Sequence, residues 1–214
     1  MMNSVSVEAK GRYFRKAADA TTRGATVVAG ALALNIATGD KIKYLDKLPS
    51  FQSWGMVLAL GAVAVADKVD GIFARTAHAY GNLITRKNKN MDPFHDKVRY
   101  HAITAASALA IAQSNLYVGA AIGIIQTPLL VRDTKKTWDR KNAPEEVDTA
   151  ATTFTKLKTG ELNLAMMETA SPLTMHPVGQ LASVALHGFG AAAAMISGRV
   201  SGPEATIAPT VEQI

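Results

Sequence analysis

The 214-residue sequence contains no cysteine, which excludes disulfide bonds and metal sites built on thiolate ligands. Aromatic residues are scarce, at 6% of the chain, and they are not interleaved with the basic residues. The net charge of +6 therefore does not indicate nucleic acid as a partner, because nucleic-acid-binding surfaces commonly combine basic and aromatic side chains. An anionic lipid surface or an anionic substrate fits this charge better.

The sequence also has few long apolar runs. Its mean hydropathy is only +0.09, and several apolar segments are shorter than the about 20 residues that a membrane-spanning helix needs. Six segments are nevertheless mainly apolar, and several are rich in Ala and Gly: 25–37, 51–66, 98–113, 116–131, 162–174 and 178–197. They are either membrane spans joined by long polar connections or the buried helices of a soluble all-α protein.

The placement of the basic residues favours the membrane. If six spans follow a cytoplasmic N-terminus, the outer connections carry only Lys41, Lys43 and Lys47, and the other basic residues fall on the cytoplasmic side. This is the positive-inside distribution of membrane proteins. We therefore predict an all-α integral membrane protein, multi-pass in the cell membrane, with six transmembrane helices and an N-terminal juxtamembrane helix.

This interpretation divides the chain into three parts. Residues 1–24 form a basic juxtamembrane segment, residues 25–200 the six-helix domain, and residues 201–214 a polar C-terminal tail. The basic segment is either an amphipathic surface helix that binds anionic membrane lipid or a flexible tail.

Four aspartates lie where apolar segments meet polar ones. Asp67 and Asp70 are three residues apart, so a helix presents both on one face. Asp92 and Asp96 are four apart and also share a face if helical; Pro93 fits if Asp92 lies at or near the N-cap of that helix. Carboxylates at an apolar boundary need cations, and their oxygens suit Mg²⁺, Mn²⁺ or Ca²⁺. Two helices that each carry such a pair can hold one or two ions between them.

Three residues beside the first pair point to a phosphorylated ligand. Gly71 has no side chain, so a ligand can approach the backbone closely, and Ala74 keeps the same helix face open. The guanidinium of Arg75 offers a fork for phosphate oxygens. These neighbours favour a metal–phosphate site over a solvated acidic face or a set of helix caps. A carboxylate that is not fully used by metal can take a proton from an attacking hydroxyl.

This arrangement resembles the CDP-alcohol phosphatidyltransferase family, whose pattern is D-x-x-D-G-x-x-A-R, a spacer, and G-x-x-x-D-x-x-x-D. Seven residues match the pattern: Asp67, Asp70, Gly71, Ala74, Arg75, Asp92 and Asp96. The resemblance implies a six-helix membrane fold, usually a homodimer. It also implies metal-dependent transfer of a phosphatidyl group from CDP-diacylglycerol to an alcohol, with release of CMP. The distribution of basic residues places the aspartates on the cytoplasmic side.

The resemblance also implies the roles of the matching residues. Asp67, Asp70 and Asp92 are expected to bind metal, and Asp96 is expected to be both a ligand and the general base. The cofactor expected there is a pair of Mg²⁺ or Mn²⁺ ions. The residues that would line the pocket for the CDP group are Gly71, Ala74 and Arg75.

Within the family, the phosphatidylglycerophosphate synthase branch is the most similar. The segment 92–97 resembles its D-P-x-A-D-K, residues 130–138 resemble its R-E segment, and residues 155–159 resemble its G-K-x-K-T. This implies that Arg132, Lys156 and Lys158 gather near the acceptor's phosphate; ordinary positive-inside charge is the alternative. Glycerol 3-phosphate is the expected acceptor, with inositol phosphate or phosphatidylglycerol as alternatives.

The sequence departs from the family pattern in the second motif. Asn88 stands where the pattern has Gly, and the spacer between Arg75 and Asp92 is about one helical turn longer than usual. His95 replaces the Ala that precedes the fourth aspartate in the similar branch. These departures motivate a second hypothesis, a degenerate membrane homologue without catalytic activity. A soluble helical metal-binding protein is a third.

Overall fold

Six α-helices form most of the part of the chain that the structure describes. The computed structural model describes residues 4–39, 41–42, 45, 47–81, 86–142 and 153–200. For 4–5, 86–93, 140–142, 153–159, 161 and 197–200 it describes the helical backbone but not the side chains. The helices are α1 (Ser4–Thr38), α2 (Trp54–Ala79), α3 (Arg86–Ser114), α4 (Leu116–Asn142), α5 (Thr153–Thr169) and α6 (Pro177–Val200), with a short 3₁₀ helix at Pro172–Met175. The described residues contain no strand, so the prediction of an all-α protein is confirmed.

The first helix runs without a break through the predicted juxtamembrane segment and the first apolar segment. It is 35 residues long, and its buried positions recur every three or four residues, so that one stripe faces the bundle along its whole length. The stripe comprises Gly11, Arg15, Ala18, Thr22, Ala25, Ala29, Leu32 and Ile36. Residues 4–24 are thus helical and continuous with the bundle.

The helix ends follow local sequence signals. Ser53 is the N-cap of α2, where its hydroxyl accepts a hydrogen bond from the Met56 amide at 3.1 Å. Asn115 separates α3 from α4, and its side-chain oxygen accepts from the Val118 amide at 3.3 Å. The gap at Ser114–Asn115 between the predicted segments 98–113 and 116–131 is thus confirmed as a break between two helices. Pro177 begins α6, a position at which the missing N–H costs nothing.

The beginning of α3 differs from the prediction. The helix starts at Arg86, so Asp92 does not lie at its N-cap and Pro93 lies within it. Arg, Lys and Met are good helix formers, and they extend the helix toward its N-terminus through a segment that we expected to be a polar connection. The condition under which we expected Pro93 to fit, with Asp92 at or near the N-cap, is therefore not met.

Small residues allow the helices to pack closely. A Cβ atom on Gly119 would lie 2.6 Å from the Cβ of Ala112, so only glycine permits the observed contact between α3 and α4. Fully buried apolar side chains from four helices fill the space between them: Leu32, Ile36, Met56, Leu60, Ile103 and Leu129.

A buried polar network joins the last four helices. His187 of α6 lies 2.9 Å from the Thr169 hydroxyl through Nε2 and 2.9 Å from Gln126 Nε2 through Nδ1. The Tyr100 hydroxyl donates to Gln126 Oε1 at 3.0 Å, and the hydroxyls of Thr169 and Ser183 are hydrogen-bonded. Because buried polar groups cost free energy unless they are paired, these contacts select one arrangement of α3, α4, α5 and α6.

The surface of the bundle carries many large apolar side chains. Exposed examples occur on α1, α2, α3, α4 and α6: Val27, Val65, Leu109, Ile124 and Phe189. Among the described residues, one helical stretch, Pro177–Ile196, is long and apolar enough to cross a membrane, with a mean hydropathy of 1.3. Six transmembrane helices are therefore not confirmed and stay a prediction.

Candidate active site

The buried stripe of α2 becomes polar near the C-terminal end of the helix. Met56, Leu60 and Val63 are buried at intervals of three or four residues, and the same interval continues to Asp67 and Asp70. Both aspartates are partly buried. The helix period therefore places these carboxylates on the face that packs against the rest of the bundle.

Helix α3 brings Asp96 to this face of α2. Arg99, one turn after Asp96, is buried with 6% of its side chain exposed. Its Nη2 donates to Oδ1 of Asp67 at 3.1 Å and also to Oδ1 of Asp96. One nitrogen atom thus links one carboxylate from each of the two predicted motifs.

Burial and the charge of Asp67 affect the ionisation of Asp96. Asp96 lies just before the apolar segment 98–113, and its burial, together with the negative charge of Asp67, raises its pKa to about 8. Arg99 acts in the opposite direction. When both carboxyl groups are ionised, the pair carries more negative charge than Arg99 alone neutralises, so either a proton or a further cation binds favourably there.

Helix α1 supplies hydroxyl groups to both motifs. The buried Thr22 donates to Oδ2 of Asp70. One turn later, the Thr26 hydroxyl lies 3.2 Å from Nδ1 of His95, the residue before Asp96. The first helix therefore holds Asp70 on one side and the segment around Asp96 on the other.

The residues expected to contact the nucleotide lie on the next turn of α2. Gly71 and Ala74 are partly buried, and Arg75 is exposed. A Cβ on Gly71 would lie 3.6 Å from a terminal nitrogen of Arg75, so the glycine leaves open space next to the guanidinium. An anionic ligand that approaches Asp70 can reach this guanidinium.

A second polar cluster lies between α3 and α4. Lys97 Nζ donates to the Asp133 carbonyl at 2.8 Å and to the Thr137 hydroxyl at 3.0 Å, and His101 Nε2 lies 3.3 Å from Asp133 Oδ2. These residues line a cavity of about 420 Å³ whose apolar walls include Phe94, Val98, Leu130 and Trp138. Arg132, which we predicted to bind the phosphate of the acceptor alcohol, precedes Asp133 in the chain and is partly buried.

Three predicted site residues lie outside the described side chains. They are Asp92 on α3 and Lys156 and Lys158 on α5. Their backbones are helical, and the gathering of Arg132 with the two lysines stays a prediction.

The described side chains include carboxylates, the ligand type that a hard divalent cation prefers, but they do not form a complete metal site. Carboxylate oxygens from Asp67, Asp70 and Asp96 are the ligand type that Mg²⁺ and Mn²⁺ prefer. Among the described residues, however, no three acidic, histidine or cysteine side chains converge in metal-binding geometry. The fourth expected ligand, Asp92, is outside the described side chains.

Sequence reasoning missed Arg99, Thr22 and Thr26. Arg99 stands three residues after Asp96, a spacing that puts both on one helix face. Thr22 and Thr26 are four residues apart in a mainly apolar stretch. These spacings indicate which residues share a helix face, but they do not identify the partner of each side chain, which depends on how the helices pack.

Comparison with known proteins adds one finding. The family model for CDP-alcohol phosphatidyltransferases matches residues 20–196, which include both aspartate motifs and all of α2, α3, α4 and α5. No curated protein and no solved structure matches the chain significantly. Because the family model spans most of the sequence and the motif carboxylates meet in the fold, the chain belongs to the CDP-alcohol phosphatidyltransferase family.

Proposed function

We propose that this protein synthesises a phospholipid by transferring a phosphatidyl group from CDP-diacylglycerol to glycerol 3-phosphate, with CMP as the second product. Family membership establishes the coarser statement, that a membrane-integral enzyme transfers a phosphatidyl group from a CDP-linked alcohol to an alcohol. The observation that carries the proposal is the meeting of Asp67 and Asp96, from two different helices, inside the conserved motif pattern of that family.

In the proposed reaction, Asp67, Asp70, Asp92 and Asp96 hold the divalent metal. When bound, Mg²⁺ or Mn²⁺ neutralises charge on the diphosphate of the donor. The hydrogen bond that the Thr22 hydroxyl donates to Asp70 fixes the orientation of that carboxylate. The exposed guanidinium of Arg75 binds phosphate oxygens, while Gly71 and Ala74 leave room for the nucleotide.

We assign the general base to Asp96. Its carboxylate accepts the proton of the acceptor hydroxyl, and the hydroxyl oxygen forms a bond to the phosphorus that carries diacylglycerol. The bond between that phosphorus and the bridging oxygen of the diphosphate breaks, and CMP leaves with the electron pair. The phosphate of the acceptor would be held by Arg132, Lys156 and Lys158.

The proposal includes a location and an assembly. The enzyme is a multi-pass protein of the cell membrane and a homodimer, with its site on the cytoplasmic side. The distribution of Lys and Arg in the sequence supports this orientation. Two exposed basic residues on the first half of α1, Lys10 and Lys16, are suited to anionic lipid headgroups.

A panel of acceptors tests the proposal. Purified protein in detergent is given CDP-diacylglycerol and Mg²⁺, with glycerol 3-phosphate, inositol phosphate or phosphatidylglycerol, and CMP release is measured. We expect the fastest release with glycerol 3-phosphate. Faster release with another acceptor would reassign the substrate, and equal release with every acceptor would reject the assignment to this branch.

Two observations favour a second candidate, a homologue that binds ligands without turnover. Arg99 occupies oxygens of Asp67 and Asp96, and Asn88 replaces a glycine of the family pattern. A protein of this kind would release no CMP with any acceptor in the panel, even though it is folded and embedded in the membrane.

A further inference from the structure

We infer that Arg99 takes the place of one of the two metal ions expected from the sequence, so that the carboxylate cluster of this enzyme binds a single divalent cation. The inference depends on the metal-binding part of the proposed function and specifies it further. It follows from the position, burial and charge of one side chain that lies outside the matched motif.

The position of Arg99 is that of a bridging cation. Its Nη2 contacts Oδ1 of Asp67 and Oδ1 of Asp96, so the two oxygens converge on one positively charged atom. A metal ion that bridges two helices uses carboxylate oxygens in the same way. An oxygen that already accepts a hydrogen bond from a guanidinium is a poorer ligand for a second cation at that position.

The burial of Arg99 opposes its displacement. The side chain is 6% exposed and emerges from a helix face that continues with the buried residues Tyr100 and Ile103. Arginine stays charged at any physiological pH, and a buried charge that loses its partners is strongly destabilising. A metal ion that took both oxygens would leave this guanidinium without the two carboxylates that now neutralise it.

The charge balance is compatible with a single cation. Four ionised carboxylates with Arg99 and one divalent cation leave one negative charge, whereas a second cation would leave one positive charge beside the buried Arg99. The ligands expected to remain for the single cation are Asp70 and the second oxygens of Asp67 and Asp96, together with Asp92, which lies outside the described side chains.

The second terminal nitrogen of the Arg99 guanidinium has no partner among the described residues. Nη1 of Arg99 is buried and makes no hydrogen bond within the described part of the chain. Buried donors are generally paired, so this nitrogen is suited to bind an anionic group that enters the site. A phosphate oxygen of the donor has the required charge and geometry, and Arg99 would then also neutralise part of the charge that a second metal ion otherwise neutralises.

Metal counting tests the inference without reference to turnover. The full chain in detergent is dialysed to equilibrium against Mn²⁺, and bound manganese per chain is measured by elemental analysis. The electron paramagnetic resonance spectrum of the bound ions shows whether two of them are adjacent. The variants are Arg99→Met, which keeps an unbranched apolar stem without the charged end, and Arg99→Lys, which keeps the charge. Arg12→Met, an exposed position paired with Glu8, is the matched control.

We expect a single Mn²⁺ in the unmodified protein, in Arg99→Lys and in Arg12→Met, with the spectrum of an isolated ion. Arg99→Met is expected to bind a second ion and to show the broadened spectrum of a coupled pair. Two ions in the unmodified protein would overturn the inference, even if Arg99→Met fails to fold. A single ion in a folded Arg99→Met would overturn it as well. No Mn²⁺ in any of these proteins would instead reject the metal site of the proposed function itself.

Discussion

Thr22 offers a direct test of whether α1 contributes to the site. Its side chain is buried, with 4% of the residue exposed, and its hydroxyl donates to Asp70. Thr22→Val keeps the shape of the side chain and removes the donor. A hydrogen bond to a charged group contributes about 1.5–3 kcal/mol, and we take the lower end because Asp70 is only partly buried and water can replace the donor. If the hydroxyl orients Asp70 in the transition state, this loss corresponds to an about tenfold decrease in kcat/KM.

The neighbouring threonine provides the matched control. The Thr21 hydroxyl donates to the Ala17 carbonyl at 2.9 Å, and the Thr22 hydroxyl has the same type of contact, 3.2 Å from the Ala18 carbonyl. Thr21→Val therefore removes the local contact alone, while Thr22→Val removes it together with the contact to Asp70. Thr22→Ser keeps the hydroxyl and should remain within about twofold of the unmodified protein.

The assay is CMP release from CDP-diacylglycerol at several acceptor concentrations, combined with thermal unfolding in the same detergent. The expected result is a lower kcat/KM in Thr22→Val than in Thr21→Val at similar unfolding temperatures. Equal kcat/KM values in the two variants would refute the positioning of Asp70 by Thr22.

Two further predictions concern helix packing and the general base. Gly119→Ala should lower the free energy of unfolding by about 1–3 kcal/mol, because the added Cβ would lie 2.6 Å from the Cβ of Ala112. Gly123→Ala should not lower the free energy of unfolding, because a Cβ at this position on the same helix has nothing within 4 Å. Thermal unfolding compares the two variants, and equal losses would contradict the close approach of α3 and α4. Asp96→Asn should reduce the rate of CMP release by about 10²–10⁴-fold, the usual contribution of a general base, whereas the exposed Asp139→Asn should have no effect. Full activity in Asp96→Asn would show that another group accepts the proton.

The sequence predicted the helical elements well where local signals were strong. The break at Ser114–Asn115 was predictable because Asn115 supplies its own helix cap. The continuation of the α2 stripe to Asp67 was predictable because the spacing of buried residues does not change at the aspartates. The start of α3 was not predictable, because a segment rich in Lys and Arg has the composition of a polar connection but also a high helix propensity.

The site was predictable only in part, for a different physical reason. The spacing of Asp67 and Asp96 in their motifs indicated a shared function, and the fold brings them to one guanidinium. The contacts of Thr22 and Arg99 depend on the rotation of α1 and α3 about their axes, which is set by packing among many small side chains. The number of membrane spans stays a prediction, because charged helix ends and alanine-rich helices lower the hydropathy of each segment.

The central claim is that the carboxylate cluster makes phosphatidyl transfer depend on a divalent cation. The most direct measurement is CMP release from CDP-diacylglycerol and glycerol 3-phosphate by the unmodified protein and by Asp67→Asn, each first treated with EDTA and then returned to Mg²⁺. We predict that EDTA abolishes release by the unmodified protein, that Mg²⁺ restores it, and that Asp67→Asn stays inactive at the same Mg²⁺ concentration while remaining folded. Release that persists in EDTA, or that Asp67→Asn retains in full, would contradict a dependence on metal bound by this cluster.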